Sequence, residues 1–429
     1  MDITFNQTGE LTLGGITATK LAQQYQTPLY VMEEDKILSA IRAYKDNFKK
    51  YYRGNAVICY ASKAFTCKEM YRICDQEGIC TDVVSGGELA TALAVGFPAE
   101  RAFFHGNNKT EEELTLAIQS GVGMIIVDNL TELERVEVIS ASLDKVTRVS
   151  FRIKPGIEAH THEYIKTGQI DSKFGLALEN GEAIEAVQRI CSNYAHLELV
   201  GLHSHIGSQI FDAEPFMDSA RVMLRFLKKV KEITGKTLKH LSLGGGLGVK
   251  YTDSDNPMPL GEAIKMVSEA VMDECGKLGL DLPELSVEPG RSIVGEAGTT
   301  LYTVGSVKEI AGIRNYVAID GGMTDNPRYA LYGSVYTVLI ANRANEKKDY
   351  IATVAGRCCE SGDLIGKDME IQKPVPGDIL AVLTTGAYNY TMASNYNRVP
   401  RPAVVFVKDG QSRVVIRRET YEDLYHFDV

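Results

Sequence analysis

A lysine that directly follows a short apolar segment is the first residue able to do chemistry. Lys63 ends the run Tyr60-Ala-Ser-Lys63, just after a strand predicted at residues 57–61. A lysine at the end of a buried strand is partly desolvated, which lowers the pKa of its amine and suits a nucleophile that forms a Schiff base. For Lys63 taken alone, a surface lysine whose ammonium reaches water is the alternative.

A glycine run is the second feature with chemical potential. It follows a strand predicted at residues 240–243 and offers backbone N–H groups that no side chain obstructs. Such a nest can hold a phosphate, although a tight turn without a ligand is the alternative. The three candidate residues are Gly244, Gly245 and Gly246.

Two histidines, His203 and His205, lie at the end of a strand predicted at residues 198–203. They could bind a metal, or one of them could stack on a flat ring. The neighbouring sequence lacks further ligands at suitable spacing, so a metal site is disfavoured and none is predicted.

A carboxylate and a guanidinium follow the strand predicted at residues 284–287. Glu288 and Arg291 could form an ion pair that closes a barrel. Alternatively, Glu288 could pair with a ring nitrogen and so tune a pyridinium cofactor.

Three residues in the second half of the chain are weaker candidates. Cys359 is adjacent to Glu360 in the run Cys359-Glu-Ser-Gly-Asp363 and could be an acid, a nucleophile or a buried, inert thiol, which is the usual state of a cysteine. Arg328 could bind a carboxylate through its planar fork, or it could be a solvated loop residue.

The elements that must position these residues follow a βα period in the first two thirds of the chain. An opening strand at 29–32 and a helix at 34–52 precede eight short apolar segments, separated mainly by amphipathic ones. Eight βα units predict a closed (β/α)₈ barrel rather than a doubly wound sheet, and the candidate residues then share the rim at the carboxyl ends of the strands. The predicted barrel strands are 57–61, 81–84, 102–105, 124–127, 148–153, 198–203, 240–243 and 284–287.

The rest of the chain predicts a second, all-β domain. Alternating apolar residues occur at 301–308, 350–355, 379–383 and 404–407, between turns rich in Gly, Pro, Asp and Asn. The first 25 or so residues have no barrel partner and are expected to add a strand to this domain. The predicted division is residues 28–290 for the barrel, and 1–27 with 291–429 for the β-domain.

Composition excludes several classes of partner. The 429 residues carry a net charge of -10, so no general attraction to nucleic acid or anionic lipid is expected. No apolar run approaches the roughly 20 residues that a bilayer crossing needs. Eight cysteines without a C-x-x-C pair predict reduced thiols and a cytoplasmic protein.

Taken together, these motifs resemble the fold-type III pyridoxal-phosphate decarboxylases, most closely the diaminopimelate decarboxylase family, over nearly the whole chain. The resemblance implies pyridoxal 5'-phosphate as cofactor and Lys63 as the residue that holds it covalently. It also implies catalytic roles for His205, which stacks on the ring, and for Cys359, which donates a proton. The implied cofactor-binding residues are Lys63, His205, Ser208, Gly244, Gly245, Gly246, Glu288, Gly290, Arg291 and Tyr388.

The resemblance further implies a small amino-acid substrate and a homodimer. Cys359 and Glu360 would be supplied to the partner's site, and Glu360 would bind the distal amine of the substrate. The implied substrate-binding residues are Arg291, Arg328, Tyr332, Glu360 and Tyr388.

The implied reaction is decarboxylation of meso-2,6-diaminopimelate to L-lysine and CO₂, the last step of lysine biosynthesis. A related decarboxylase that acts on another amino acid, such as a carrier-tethered glutamyl group, is one alternative. Alanine racemase shares the barrel but lacks the run at 359–363. A non-enzymatic pyridoxal-phosphate carrier resembles a bare barrel, so the β-domain weighs against it.

Overall fold

The computed structural model describes residues 3–157 and 171–429 and divides the chain into two compact units. Residues 40–248 and 257–290 form the barrel unit, and residues 1–39, 249–256 and 291–429 form the β-domain. The predicted boundary at residue 28 is therefore wrong, because the β-domain extends to residue 39 and also takes in 249–256.

The strands of the described residues are short, apart from one long strand in the β-domain. In chain order they are β1 Thr4–Phe5, β2 Leu11–Leu13, β3 Ile16–Thr17, β4 Leu29–Glu33, β5 Ala56–Ala61, β6 Cys80–Val83, β7 Ala102–Phe104, β8 Met124–Val127, β9 Thr147–Lys154, β10 Leu176–Ala177, β11 Leu197–His203, β12 His240–Ser242, β13 Glu284–Val287, β14 Gly298–Ile310, β15 Arg314–Ile319, β16 Val338–Ile340, β17 Tyr350–Ala355, β18 Leu364–Ile371, β19 Ile379–Leu383, β20 Ala403–Lys408 and β21 Gln411–Ile416.

The α-helices of the described residues are, in chain order, α1 Ala18–Tyr25, α2 Glu34–Tyr51, α3 Lys68–Gln76, α4 Gly86–Leu93, α5 Glu111–Ser120, α6 Leu130–Ser142, α7 Glu182–Asn193, α8 Glu214–Thr234, α9 Leu260–Leu278, α10 Arg291–Val294, α11 Arg328–Tyr332 and α12 Tyr421–Tyr425. The helices α3 to α9 lie in the barrel unit, α2 begins in the β-domain and ends in the barrel unit, and α1 and the short helices α10 to α12 lie in the β-domain. Within the described ranges, none of the helices combines the length and the apolar composition that a membrane crossing requires.

The barrel prediction is confirmed. The parallel strands follow the order β5-β6-β7-β8-β9-β11-β12-β13, and β13 pairs with β5 to close the ring. Each of the eight predicted strands agrees with the observed bounds to within one residue at either end. Strands buried on both faces read as continuous apolar runs bounded by helices, which is why the sequence located them well.

The predicted β-domain is also confirmed, and its main sheet includes a strand that was predicted within the barrel domain. β4 pairs antiparallel with β14 and parallel with β20, so the opening strand belongs to the β-domain and not to the barrel domain. Four of its five residues are buried, and a strand buried on both faces carries no signal of which sheet it joins.

The N-terminal segment joins the β-domain by packing rather than by extending its main sheet. β1, β2 and β3 form a separate antiparallel sheet. Leu11, Leu13 and Ile16 of this sheet pack in one core cluster with residues of the main sheet such as Leu301 and Val405.

A buried carboxylate in the β-domain makes folding depend on pH. Asp325 is 1% exposed and accepts hydrogen bonds from the Tyr302 hydroxyl and from the Gly322 N–H at 3.0 Å. Burial is the largest effect and raises the pKa of Asp325 to about 7, with a smaller contribution from the charge of Asp363.

We expect the substitution Asp325→Asn to change the pH dependence of stability. Because the folded pKa exceeds the unfolded one, the contribution of Asp325 is fully present below about pH 4 and is lost as the pH rises through about 7. Asn stays neutral, so the free energy of unfolding of the variant relative to wild type should rise by roughly 2–4 kcal/mol between about pH 5 and about pH 8. Urea denaturation at both pH values measures this difference.

Asn389→Ala provides the control for this prediction. Asn389 is fully buried in the same domain and donates to the Thr385 carbonyl at 3.0 Å, but it does not titrate. Its loss of stability relative to wild type should be equal at both pH values. A similar pH difference in both variants would show that Asp325 is not the titrating group.

Candidate functional site

Lys63 lies in a tight turn at the carboxyl end of β5. The turn, Ser62–Ala64, is held from both sides: the Tyr60 hydroxyl donates to the Phe65 carbonyl at 2.9 Å, and the Ala61 N–H donates to the Pro289 carbonyl at 3.1 Å. Lys63 itself is exposed. The position at a strand end is as predicted, but the expected partial burial is wrong, because the turn buries its outer residues, Ser62 and Ala64, and leaves its middle residue exposed.

Glu288 follows β13 and is a buried carboxylate with two side-chain donors. It is 7% exposed, its Oε2 lies 3.0 Å from His203 Nε2, and its Oε1 accepts a 2.6 Å hydrogen bond from the Ser242 hydroxyl. Burial raises the pKa of a carboxyl, but the charges and hydrogen bonds around Glu288, those of His203 above all, outweigh it and hold its pKa well below the ordinary value. Glu288 is therefore ionised.

A second buried carboxyl, Asp82, lies in the same cluster at the end of β6. It accepts a hydrogen bond from the Cys59 thiol at 2.7 Å, and His105 Nε2 lies 3.4 Å from its Oδ1. Burial first, and then the negative charge of Glu288, raise the pKa of Asp82 well above its ordinary value. Burial also lowers the pKa of His105 to about 4. The cluster thus keeps one carboxylate charged and its neighbour protonated.

The same cluster has the spacing of a metal site. One ligand atom each from His105, His203 and Glu288 lie within 4.8 Å of one another. The hydrogen bond between His203 and Glu288 accounts for the closest of these distances. The geometry therefore fits a carboxylate held in its charged form by neighbouring donors.

The glycine run after β12 allows three loops to approach closely. Gly244 and Gly246 have φ of 69° and 123°, which other residues rarely adopt. An added Cβ would meet a backbone oxygen at every position: at 2.6 Å from Ser204 for Gly244, at 2.0 Å from Glu288 for Gly245, and at 2.3 Å from Gly207 for Gly246. The run therefore has no room for side chains. The Gly244 N–H donates to the Ser242 hydroxyl oxygen at 3.1 Å, and the Gly245 N–H donates to His205.

His205 and Ser208 lie in the loop after β11, beside these glycines. His205 Nδ1 accepts a 3.3 Å hydrogen bond from the Gly245 N–H, which requires a neutral imidazole. Burial first, and then the positive charge of Lys63, lower the pKa of His205 well below its ordinary value. Gly290 also allows a close approach, because a Cβ there would lie 2.9 Å from the side chain of Ala64, in the turn that carries Lys63.

The β-domain contains a separate cationic cluster around Tyr388. The guanidinium groups of Arg291 and Arg328 lie 4.9 Å and 5.5 Å from the centre of the Tyr388 ring. Arg328 also lies 4.9 Å from the Tyr332 ring, and the Tyr251 hydroxyl accepts a hydrogen bond from Arg291. Arg328 is buried, and its Nε has no hydrogen-bond partner among the described residues. A carboxylate ligand would supply that acceptor.

Cys359 and Glu360 lie on an exposed loop of the β-domain. The Cys359 N–H donates to the Asn397 side chain at 2.8 Å, and Glu360 accepts a 3.2 Å hydrogen bond from the Gly362 N–H. Both residues are exposed. Cys359 is therefore not the buried, inert thiol that is usual for cysteine.

Some residues of these clusters had no role in the sequence interpretation. Ser242, His105 and Tyr251 each contact a candidate residue or its cluster. Ser242 and His105 could have been found as polar residues at or just beyond the ends of predicted barrel strands. Tyr251 had no such signal, because it lies in a loop that folds into the β-domain.

The chain is similar to known proteins over most of its length. Residues 34–295 match the family model described as the pyridoxal binding domain of the pyridoxal-dependent decarboxylases. Diaminopimelate decarboxylase of Bacillus subtilis is 48% identical over 99% of this chain and 96% of that protein, and the Staphylococcus aureus enzyme is 47% identical over 99% of both.

Solved structures extend the similarity to the whole fold. Diaminopimelate decarboxylase from M. jannaschii, solved in complex with L-lysine, superposes with a TM-score of 0.92 at 34% identity and covers 100% of this chain and 97% of its own. The chain therefore belongs to the diaminopimelate decarboxylase family of pyridoxal-dependent decarboxylases.

Proposed function

We propose that this protein uses pyridoxal 5'-phosphate to decarboxylate meso-2,6-diaminopimelate to L-lysine and CO₂, the last step of lysine biosynthesis. The observation that carries the proposal is the full-length identity of 48% to a diaminopimelate decarboxylase. In the reaction, the bond from the α-carbon to one carboxylate breaks, and a proton takes the place of that carboxylate.

The barrel unit fits the cofactor. Lys63 is exposed at a strand end and would bond covalently to the aldehyde, and the loop of residues 244–246, which carries no side chains, would hold the phosphate with help from Ser208. His205, neutral and fixed by the Gly245 N–H, would stack on the ring. When bound, the cofactor accepts the electron pair that CO₂ leaves behind.

Glu288 has the charge that this chemistry needs. An ionised carboxylate beside the ring nitrogen keeps that nitrogen protonated, which makes the ring a stronger electron acceptor. His203 and Ser242 orient both oxygens of Glu288, so the charge is fixed before the cofactor arrives.

The β-domain supplies groups for the substrate. Arg328, with its buried and unpartnered Nε, would bind a substrate carboxylate, and Tyr332 and Tyr388 flank it. Arg291, whose guanidinium lies 4.9 Å from the centre of the Tyr388 ring, would contribute to cofactor and substrate binding.

Cys359 and Glu360 complete the site in a homodimer. We infer that Cys359 donates the proton to the α-carbon and that Glu360 binds the distal amine, both acting in the partner's site. Their exposure on a β-domain loop supports this assignment. We also place the enzyme in the cytoplasm, where reducing conditions keep its eight free cysteines as thiols.

Lys63→Ala should abolish both covalent capture of the cofactor and lysine formation, because no other amine would occupy the end of β5. Borohydride trapping followed by peptide mass mapping, together with a lysine assay on diaminopimelate, tests both effects. Lys68→Ala, which removes another exposed lysine five residues away, should leave both unchanged. Label on any peptide without Lys63 in the wild-type protein would contradict the assignment.

Mixing two inactive variants tests the shared site. Cys359→Ala should slow turnover severely and retain the cofactor, because the proposed phosphate and ring contacts lie in the barrel unit. If Cys359 serves the partner, a hybrid of the Cys359→Ala and Lys63→Ala chains has one fully intact site. Equal mixing with subunit exchange should then restore about a quarter of wild-type activity. No recovery in verified hybrids would mean that each site is built from one chain.

A preference for ornithine or arginine over diaminopimelate would overturn the proposed substrate. The comparison requires only purified protein, added cofactor and measurement of CO₂ release from each amino acid.

A further inference from the structure

Two β-domain loops carry the residues that the proposed function assigns to the substrate. Residues 321–328 follow β15 and end at Arg328, and residues 356–363 follow β17 and contain Cys359 and Glu360. A direct backbone hydrogen bond joins them, from the Arg357 N–H to the Gly321 carbonyl at 3.0 Å. The positions of the two sets of side chains are therefore not independent.

Asp363 forms a second and stronger connection between the loops. Its carboxylate accepts from the Met323 N–H at 2.5 Å through Oδ1 and from the Cys358 N–H at 2.7 Å through Oδ2. Oδ1 thus binds the loop of residues 321–328, and Oδ2 binds the loop of residues 356–363. Asp363 is 2% exposed, and within the described ranges no Lys, Arg or His pairs with it, so backbone N–H groups compensate its buried polar oxygens.

Two glycines make room for this carboxylate. A Cβ at Gly356 would lie 2.2 Å from Asp363 Oδ1, and a Cβ at Gly322 would lie 2.3 Å from the same atom. These distances are shorter than any normal contact. The backbones of both loops are therefore packed directly on Asp363.

We propose that Asp363 is a positioning residue that holds the loop of Arg328 and the loop of Cys359 and Glu360 in a fixed relation. This inference rests on the proposed function for the roles of those three residues. Asp363 itself does not touch substrate. It acts by fixing two backbones, and a displacement of about 1 Å in a positioned group is enough to reduce turnover by a large factor.

Asp363→Asn in the holoenzyme tests the proposal. The amide cannot accept from both N–H groups, so one loop loses its connection. Hydrogen exchange measured by mass spectrometry should increase in the peptides that cover both 321–328 and 356–362. Turnover should fall at least about tenfold, mainly in kcat, and visible absorbance of the bound cofactor should stay unchanged.

Asp378→Asn is the matched control. Asp378 is also buried in the β-domain and accepts from the Val375 N–H at 2.8 Å, but its cationic partner is Arg343 and it contacts neither loop. Its variant should lose stability without faster exchange in the two loops and without the loss of kcat. Equal effects of the two substitutions on exchange and kcat would overturn the proposal.

Gly356→Ala provides a second route if Asp363→Asn fails to fold. The added methyl group displaces the carboxylate of Asp363 without removing it, so both loops should again exchange faster. Gly305→Ala is its control, because a Cβ there meets only the Ala318 carbonyl at 3.8 Å. Unchanged exchange in either loop of the Gly356→Ala variant would overturn the proposal.

The proposed function and the proposed role of Asp363 can be contradicted independently of each other. If wild-type holoenzyme does not act on diaminopimelate, the proposed function is wrong, whereas faster exchange of both loops in Asp363→Asn would still support their coupling. If wild type is active and the variant loses kcat with slow exchange in both loops, the coupling is wrong and the function stands.

Discussion

The chemistry of the barrel depends on keeping a carboxylate charged where water is scarce. Burial opposes the charge of Glu288, but His203 and the hydrogen bond from Ser242 help to hold its pKa well below the ordinary value, and the charge of Glu288 in turn raises the pKa of Asp82. Removing either donor would leave a buried, poorly compensated charge, which costs more than the hydrogen bond itself contributes. The strand ends of β6, β11, β12 and β13 must therefore keep their register, and a closed barrel enforces it.

The buried carboxyls of the β-domain have different hydrogen-bond donors. Asp363 and Asp325 are buried without a basic side chain in contact among the described residues, and backbone N–H groups of residues 322, 323 and 358 bind their oxygens. Because their donors are backbone N–H groups, these carboxyls fix the shape of the loops that carry those groups. In the barrel, the donors to Glu288 are side chains, which affect the charge of Glu288, while the strands fix the backbone.

The sequence was informative where local chemistry and periodicity coincide. Buried parallel strands gave apolar runs with clear ends, so the polar residues at those ends could be placed on one rim. β4 was assigned to the wrong domain because its neighbours in the sheet, β14 and β20, are distant in sequence. The clusters around Glu288 and Asp363 also escaped prediction, since hydrogen bonds between residues 40 or more positions apart have no periodic signature.

The exposure of Lys63 revises the argument made from its position. Desolvation was the expected means of activating its amine, yet the turn Ser62–Ala64 presents the residue to solvent. What the barrel fixes instead is the surroundings of the amine: a protonated Asp82, a charged Glu288 and a neutral His205 whose pKa the Lys63 charge itself helps to lower. An imidazole that cannot take up a proton beside this lysine adds no second positive charge to the rim. If Glu288 pairs with the ring nitrogen as proposed, its negative charge would remain available for that nitrogen, and the protonation states of the neighbours, rather than burial of the lysine, would prepare this rim for the cofactor.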